Sequence, residues 1–299
     1  MPLVNTTDML NHAYRHGYAV CAFNLINLEF LDGVLSAAES CRAPIILSFS
    51  EPHQAYYNVD LLVAAAIAGA QRASIPIALS FDHLTSIDKS QAAIALGCNS
   101  VMLDVSALPL DENIRATREF AKVAHDNGVT VEGKLGYAPT SLNVDGNVTV
   151  DAEIIMTLPA EAKAYVERTE VDSLAITVGT HQGILRSTPK LDIQRLSKIN
   201  EAVGIPLVIH GGTGLTDDQF RKLVANGVAK VTYYTTLADV AVTAIRNQLA
   251  AHKNSSYLTL NGVARAAIST ESERIFKLLG SGGRAAEVLT QCRPCALHS

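Results

Sequence analysis

The sequence has no surplus of positive charge, no long apolar run and no cysteine framework, and each lack closes off a class of function. Twenty-four Lys and Arg stand against 29 Asp and Glu, for a net charge of −5 and a pI near 6.0. The electrostatic footprint of a protein that binds nucleic acid or an anionic membrane is therefore missing. The longest apolar run, Leu61 to Ala70, is about half of what a membrane span needs. Residues Met1-Pro2-Leu3-Val4-Asn5-Thr6 show no charged region followed by an apolar one, so the expectation is a cytoplasmic protein without a secretory signal. The five cysteines, Cys21, Cys41, Cys98, Cys292 and Cys295, are scattered, which suits a reducing compartment, and Cys292-Arg293-Pro294-Cys295 is read as incidental. Small molecules are the expected partners, with no nucleic acid and no membrane.

What is present is an alternation. Short β-branched runs, each followed by a polar or glycine-containing break and a helical pattern, occur at Ala19–Asn24, Ala43–Ser50, Pro76–His83, Ser100–Ser106, Thr130–Gly136, Ser173–Gly179, Pro206–Gly212 and Ala229–Thr235. They read as nearly continuous apolar runs, as parallel strands covered on both sides do. Helical segments lie between them, from Leu28–Ser40 to Thr216–Gly227, several starting at an Asp, Ser or Thr and stopping at a Gly. Eight such units in 299 residues predict one α/β domain, a (β/α)8 TIM barrel spanning 1–299. Residues from about 255 to 299 are expected to form a helical C-terminal extension used in packing or oligomerisation.

A barrel of this kind gathers its chemistry at the C-terminal ends of the strands. The segments end there in Asn24, in Ser50-Glu51, in Asp82-His83, in Asp104, in Glu132 and Lys134, in Thr180-His181-Gln182-Gly183, in His210-Gly211-Gly212-Thr213-Gly214 and in Tyr234-Thr235. Three histidines with carboxylates around one rim point to a metal site. Asp82-His83, a carboxylate and an imidazole at one strand end, can move a proton and hold a metal.

The pieces Gly17-Tyr18-Ala19-Val20-Cys21-Ala22-Phe23-Asn24, Ser80-Phe81-Asp82-His83, Ser100 to Ser106, Leu207 to Leu215 and Lys230 to Thr235 also carry a resemblance. The chain resembles the class II, zinc-dependent ketose-bisphosphate aldolases, most closely the tagatose-bisphosphate and fructose-bisphosphate aldolase branch. The resemblance implies reversible aldol cleavage of a small carbonyl or ketose substrate, phosphorylated or not, through a metal-stabilised enediolate, in a homodimer or homotetramer. It implies Zn2+ held by His83, His181 and His210, with Asp82 as the acid/base. It also assigns Asn24, Ser50, Asp104, Gly183, Gly211, Thr213 and Thr235 to substrate binding, the glycines and threonines among them to a phosphate cradle.

The chain departs from that pattern in four places. His181 stands one place early in the strand-six motif, with Gln182 next to it, and a one-residue step turns a side chain to the other face. Glu132-Gly133-Lys134 replaces a Glu-x-Glu. Tyr137 to Val150 carries Asp145 as its only acid where the family has an acidic loop. Thr232 replaces an Asn, beside Tyr233 and Tyr234, which are expected to crowd the phosphate region and favour a less charged substrate. Glu132 and Lys134 are candidate catalytic residues on one strand face. Lys134 opens a metal-free alternative, a Schiff base with a carbonyl substrate, and its plainer reading is a salt bridge to Glu132 or Asp104. A catalytically inactive sugar-phosphate-binding or assembly paralogue is the non-enzymatic alternative. Lys230, at the start of its segment, is read as structural.

Overall fold

The computed structural model describes residues 3–137, 154–180 and 188–295. Eight parallel strands close on themselves in chain order: β1 (Val20–Asn24), β2 (Ile45–Ser50), β3 (Ile77–Leu84), β4 (Ser100–Leu103), β5 (Thr130–Leu135), β6 (Ser173–Ile176), β7 (Leu207–Ile209) and β8 (Val228–Tyr233). β8 closes on β1 with Val20 opposite Lys230 and Ala22 opposite Thr232. The (β/α)8 barrel expected from the alternation is the architecture found.

The connecting helices are α2 (Leu28–Cys41), α3 (Val59–Arg72), α4 (Ile87–Ala95), α5 (Leu110–Asp126), α6 (Pro159–Thr169), α7 (Ile193–Val203) and α8 (Asp217–Ala225), preceded by α1 (Thr6–His16). Their starts are chemically marked: Asn27, Ser86, Asp192 and Thr216 each accept a backbone N–H of the first turn, and Thr216 with Gln219 completes a capping box. These contacts satisfy amides that the helix itself leaves without partners. α1 lies outside the helices expected from the sequence, although Asn5 caps its start and Gly17 ends it in the left-handed region. Its Met9, Leu10 and Ala13 pack on Val20, Ala22, Ile46 and Ala78 and plug the N-terminal end of the barrel.

The strands that read as continuous apolar runs alternate between two faces. Phe23, Leu47, Phe49, Leu79 and Phe81 face the helices, while Ala22, Ser48, Ser80, Asp82, Glu132 and Lys230 face inward. An eight-stranded barrel is just wide enough for side chains to fill, and small residues at these inner positions leave room for a charged cluster at its centre.

Beyond β8 come α9 (Thr235–Ala251), α10 (Tyr257–Leu279) and α11 (Ala285–Gln291). α10 lies along α2, where a Cβ on Gly33 would come within 2.8 Å of Ile268 Cγ2; only glycine lets the two helices approach so closely. Among the described residues, no helix is long and apolar enough to cross a membrane.

Candidate active site

A regular strand points consecutive residues to opposite faces, so Asp82 and His83 cannot both serve one interior. β3 solves this by breaking its own regularity. Its register with β4 shifts between Phe81 and Leu84, and His83 takes φ 59°, a left-handed conformation that costs a non-glycine residue about 1–2 kcal/mol. The Asp104 N–H donates to the Leu84 carbonyl at 2.8 Å, and His83 Nδ1 meets Asp104 Oδ2 at 2.6 Å. The irregularity turns both residues inward.

Asp82 is fully buried and doubly held: Ser48 Oγ donates to Oδ2 at 2.6 Å, and Ser80 Oγ donates to Oδ1 at 2.9 Å. Lys230 Nζ lies 3.5 Å from Oδ1. Burial by itself would raise the Asp82 pKa, but the Lys230 ammonium, followed by His210, His83 and the Ser48 hydroxyl, brings it down to about 2. Glu132 is a second buried carboxylate, reached at Oε2 by Lys230 Nζ at 2.7 Å. Against its own burial, Lys230 and His210 hold the Glu132 pKa below the usual range. Burial likewise works against the charged form of Lys230, and Asp82 and Glu132 reverse that and raise its pKa. Lys230 thus sits at the centre of the buried charge cluster, between Asp82 and Glu132. The signal that could have found it is its spacing of two from the inward Thr232.

Two parallel chains of contacts emerge. Lys134 Nζ reaches Asp104 Oδ2 at 2.7 Å, and the same oxygen holds His83 Nδ1 at 2.6 Å. Lys230 Nζ reaches Glu132 at 2.7 Å, and Glu132 Oε1 holds His210 Nε2 at 2.6 Å. The two imidazoles then meet edge to face, with ring centroids 5.0 Å apart and planes at 69°. His210 Nδ1 is buried with no partner, and the Asp104 contact leaves Nε2 as the other nitrogen of His83. Burial is the main cause that lowers the His83 pKa, favouring the neutral ring a metal ion requires. For Asp104, burial is overcome by the His83 hydrogen bond and by Lys134, and its pKa lies far below the carboxylate range.

A carboxylate on one imidazole nitrogen and an unpartnered nitrogen opposite is the arrangement of metal-binding histidines with their outer shell. His83 and His210 therefore fit a divalent ion. Among the described residues, no group of three or more His, Cys, Asp or Glu side chains is arranged to hold one. His181, Gln182 and Gly183 lie outside the described residues, as does Asp145.

The remaining expected residues divide. Asn24 and Ser50 are buried at the C-terminal ends of β1 and β2, and Ser50 is registered beside Asp82. Gly211, with φ 79°, and Thr213 lie in the turn after β7. Thr235 belongs to the first turn of α9 instead of to strand eight, and the N-cap residue Tyr234 makes no side-chain capping bond there. Tyr233 does not crowd the interior: its ring packs on Phe23 and Phe220, and its hydroxyl donates to Glu271 of α10 at 2.7 Å. Period-two alternation sends it outward, and Tyr234 alone of the pair stays at the rim. There it meets His53, ring centroids 4.6 Å apart, a residue that sequence reasoning missed. His53 belongs to a short 3-10 turn, Glu51–Ala55, after β2, and burial lowers its pKa to about 4. Thr232 Oγ1 is buried without a partner.

Comparison with known proteins decides what this barrel is. The family model of class-II fructose-bisphosphate aldolase matches residues 4–284. The chain belongs to that family. It is 35% identical over 291 residues to a fructose-bisphosphate aldolase of Geobacillus stearothermophilus, covering 96% of this chain and 100% of the other. It is 33% identical over 279 residues to YdjI of Escherichia coli K12, covering 92% and 96%. The crystal structure of the YdjI aldolase superposes with a TM-score of 0.85 at 31% identity, over 95% of this chain and 99% of that one. A structure of a putative fructose-1,6-biphosphate aldolase from Coccidioides immitis also gives 0.85, at 29% identity, over 95% and 98%. The chain is accordingly an aldolase-type carbon–carbon lyase of class II.

The cluster makes stability depend on acid. Asp82, Glu132 and Asp104 all have folded-state pKa values below their unfolded ones, so their contribution is present above about pH 4 and is lost as pH falls toward and through those lowered values. Urea unfolding midpoints should begin to fall below about pH 6.5, where His83 and His53 take up protons more readily in the unfolded chain, and should drop more steeply below about pH 4 as the carboxylates are protonated. Lys230→Met removes the ammonium that Asp82 and Glu132 share and should reduce neutral-pH stability by about 3–5 kcal/mol, with a smaller deficit at acid pH. An equal deficit at both pH values would contradict this electrostatic account.

Proposed function

We propose that the mouth of the barrel is a zinc-dependent aldol site for a small phosphorylated ketose. His83 and His210 hold the ion with His181 as the third ligand, and Asp82 moves the proton of the substrate hydroxyl. The observation that carries the proposal is the adjacent pair of imidazoles, 5.0 Å between centroids, each tied to a carboxylate through one nitrogen. When bound there, zinc would polarise the substrate carbonyl and stabilise the charge that develops on its oxygen.

The protein supplies the rest. Asp82 is ionised, the state a base needs to take a hydroxyl proton in the cleavage direction; to reach that hydroxyl it must release one of its serine contacts. The start of α9 offers first-turn amides without a side-chain cap. Together with Gly211 and Thr213 these suit an anion, and Gly183 is assigned to the same cradle. Lys134 favours the metal route over the Schiff base, because its Nζ is engaged by Asp104 Oδ2 at 2.7 Å and a nucleophilic amine has to be free to attack a carbonyl.

The test is metal analysis of protein purified without chelator, followed by cleavage assays on fructose 1,6-bisphosphate and on ketose 1-phosphates, with and without chelator. Stoichiometric zinc and chelator-sensitive turnover are expected. Borohydride added during turnover should trap no adduct on Lys134 by peptide mass spectrometry. Chelator-resistant turnover with a reduced adduct on that lysine would replace the zinc reading with the Schiff-base one.

A further inference from the structure

Lys134 needs a role of its own, because an ammonium placed beside a metal site opposes the ion it faces. Its position suggests what offsets that repulsion. Lys134 is 5% exposed on the inner face of β5, and its Nζ grips Asp104 Oδ2, the oxygen that also holds His83 Nδ1. Asp104 is further fixed at Oδ1 by the Ser106 hydroxyl at 2.7 Å. His83, in turn, sits on a left-handed backbone at a register shift, a conformation that its own strand does not enforce. On the opposite side, Lys230, Glu132 and His210 repeat the same order of ammonium, carboxylate and imidazole.

We propose that Lys134 is a positioning residue: by clamping Asp104 it holds His83 in its strained, inward conformation, so that the imidazole is presented to the metal before the metal arrives. This rests on the zinc reading of the site. The clamp acts on geometry and not on substrate, so it should govern metal affinity and leave substrate recognition by the zinc-saturated enzyme alone.

The experiment measures zinc affinity by competition with a chromophoric chelator in the wild type, Lys134→Met, Lys134→Arg, Asp104→Asn and the Lys134→Met/Asp104→Asn double variant. Each is checked for folding by circular dichroism. Lys134→Met should bind zinc about 10- to 100-fold more weakly, the range for outer-shell partners of metal-bound histidines, and Lys134→Arg should recover most of that loss. The double variant should be no weaker than Asp104→Asn alone, because the lysine acts through the aspartate. With zinc saturating, KM in Lys134→Met should stay at the wild-type value.

If Lys134→Met does not fold, Asp104→Asn and Lys134→Arg carry the test: the first must lose affinity and the second must retain it. Wild-type affinity in Lys134→Met or Asp104→Asn, or additive losses in the double variant, would overturn the proposal while leaving the zinc site standing. A wild-type protein that binds no zinc, or binds it equally well without His83, would overturn both.

Discussion

Asp82→Ala is expected to lower kcat by at least about a thousandfold, within the range for removal of a positioned acid/base and equal to about 4 kcal/mol of transition-state stabilisation. The zinc content should be unchanged. The reason for separating the two readouts is geometric. Asp82 touches Ser48, Ser80 and Lys230 and makes no hydrogen bond to either imidazole, so its loss leaves the His83–Asp104 and His210–Glu132 pairs in place. It also leaves Lys230 with Glu132 at 2.7 Å, which keeps the buried ammonium compensated. Asp82→Asn is the sharper variant, since it preserves shape and removes the basic oxygen. Near-normal kcat in both variants would remove Asp82 from the chemistry and leave it as the counter-charge of Lys230.

The second large effect is on metal. His210→Ala should give protein that purifies with almost no zinc and has no chelator-sensitive turnover, a deeper loss than the 10- to 100-fold expected of an outer-shell change. His210 offers Nδ1, buried and unpartnered, while Glu132 fixes Nε2 at 2.6 Å; the ring is oriented in advance, so under the proposed zinc reading its removal takes away a ligand and not merely a contact. Glu132 retains Lys230, so the barrel should still fold, which a far-ultraviolet spectrum would verify. Full zinc occupancy in folded His210→Ala would show that the ion, if present, is held elsewhere. The contrast between the two variants, one losing rate with its metal and the other losing the metal itself, separates proton transfer from Lewis-acid chemistry.

Much of this site was legible in the residues. Asp82, His83, Asp104, Glu132, Lys134 and His210 could be gathered on one rim because parallel strands in a closed barrel all present their C-terminal ends to the same side. Less legible was how each of them is engaged. Lys134 could pair with Glu132 or Asp104 by spacing alone, and only the packing of β4 against β5 selects Asp104. Lys230 read as structural without its partners, because its distance along the strand carries no information about which strands stand across the barrel from it. Tyr233 and Tyr234 read as one obstruction, yet one faces α10 and the other His53, since adjacent residues on a strand part company.

The sequence by itself determined the eight strand–helix units, their caps and the end of the barrel where chemistry gathers, because periodicity and capping are local properties of a chain. The tertiary structure alone decided the partners. Across-barrel contacts such as Lys230 with Glu132, separated by 98 positions, depend on closure and register. The inward turn of His83 depends on a shift in pairing between β3 and β4 that no residue of β3 specifies alone.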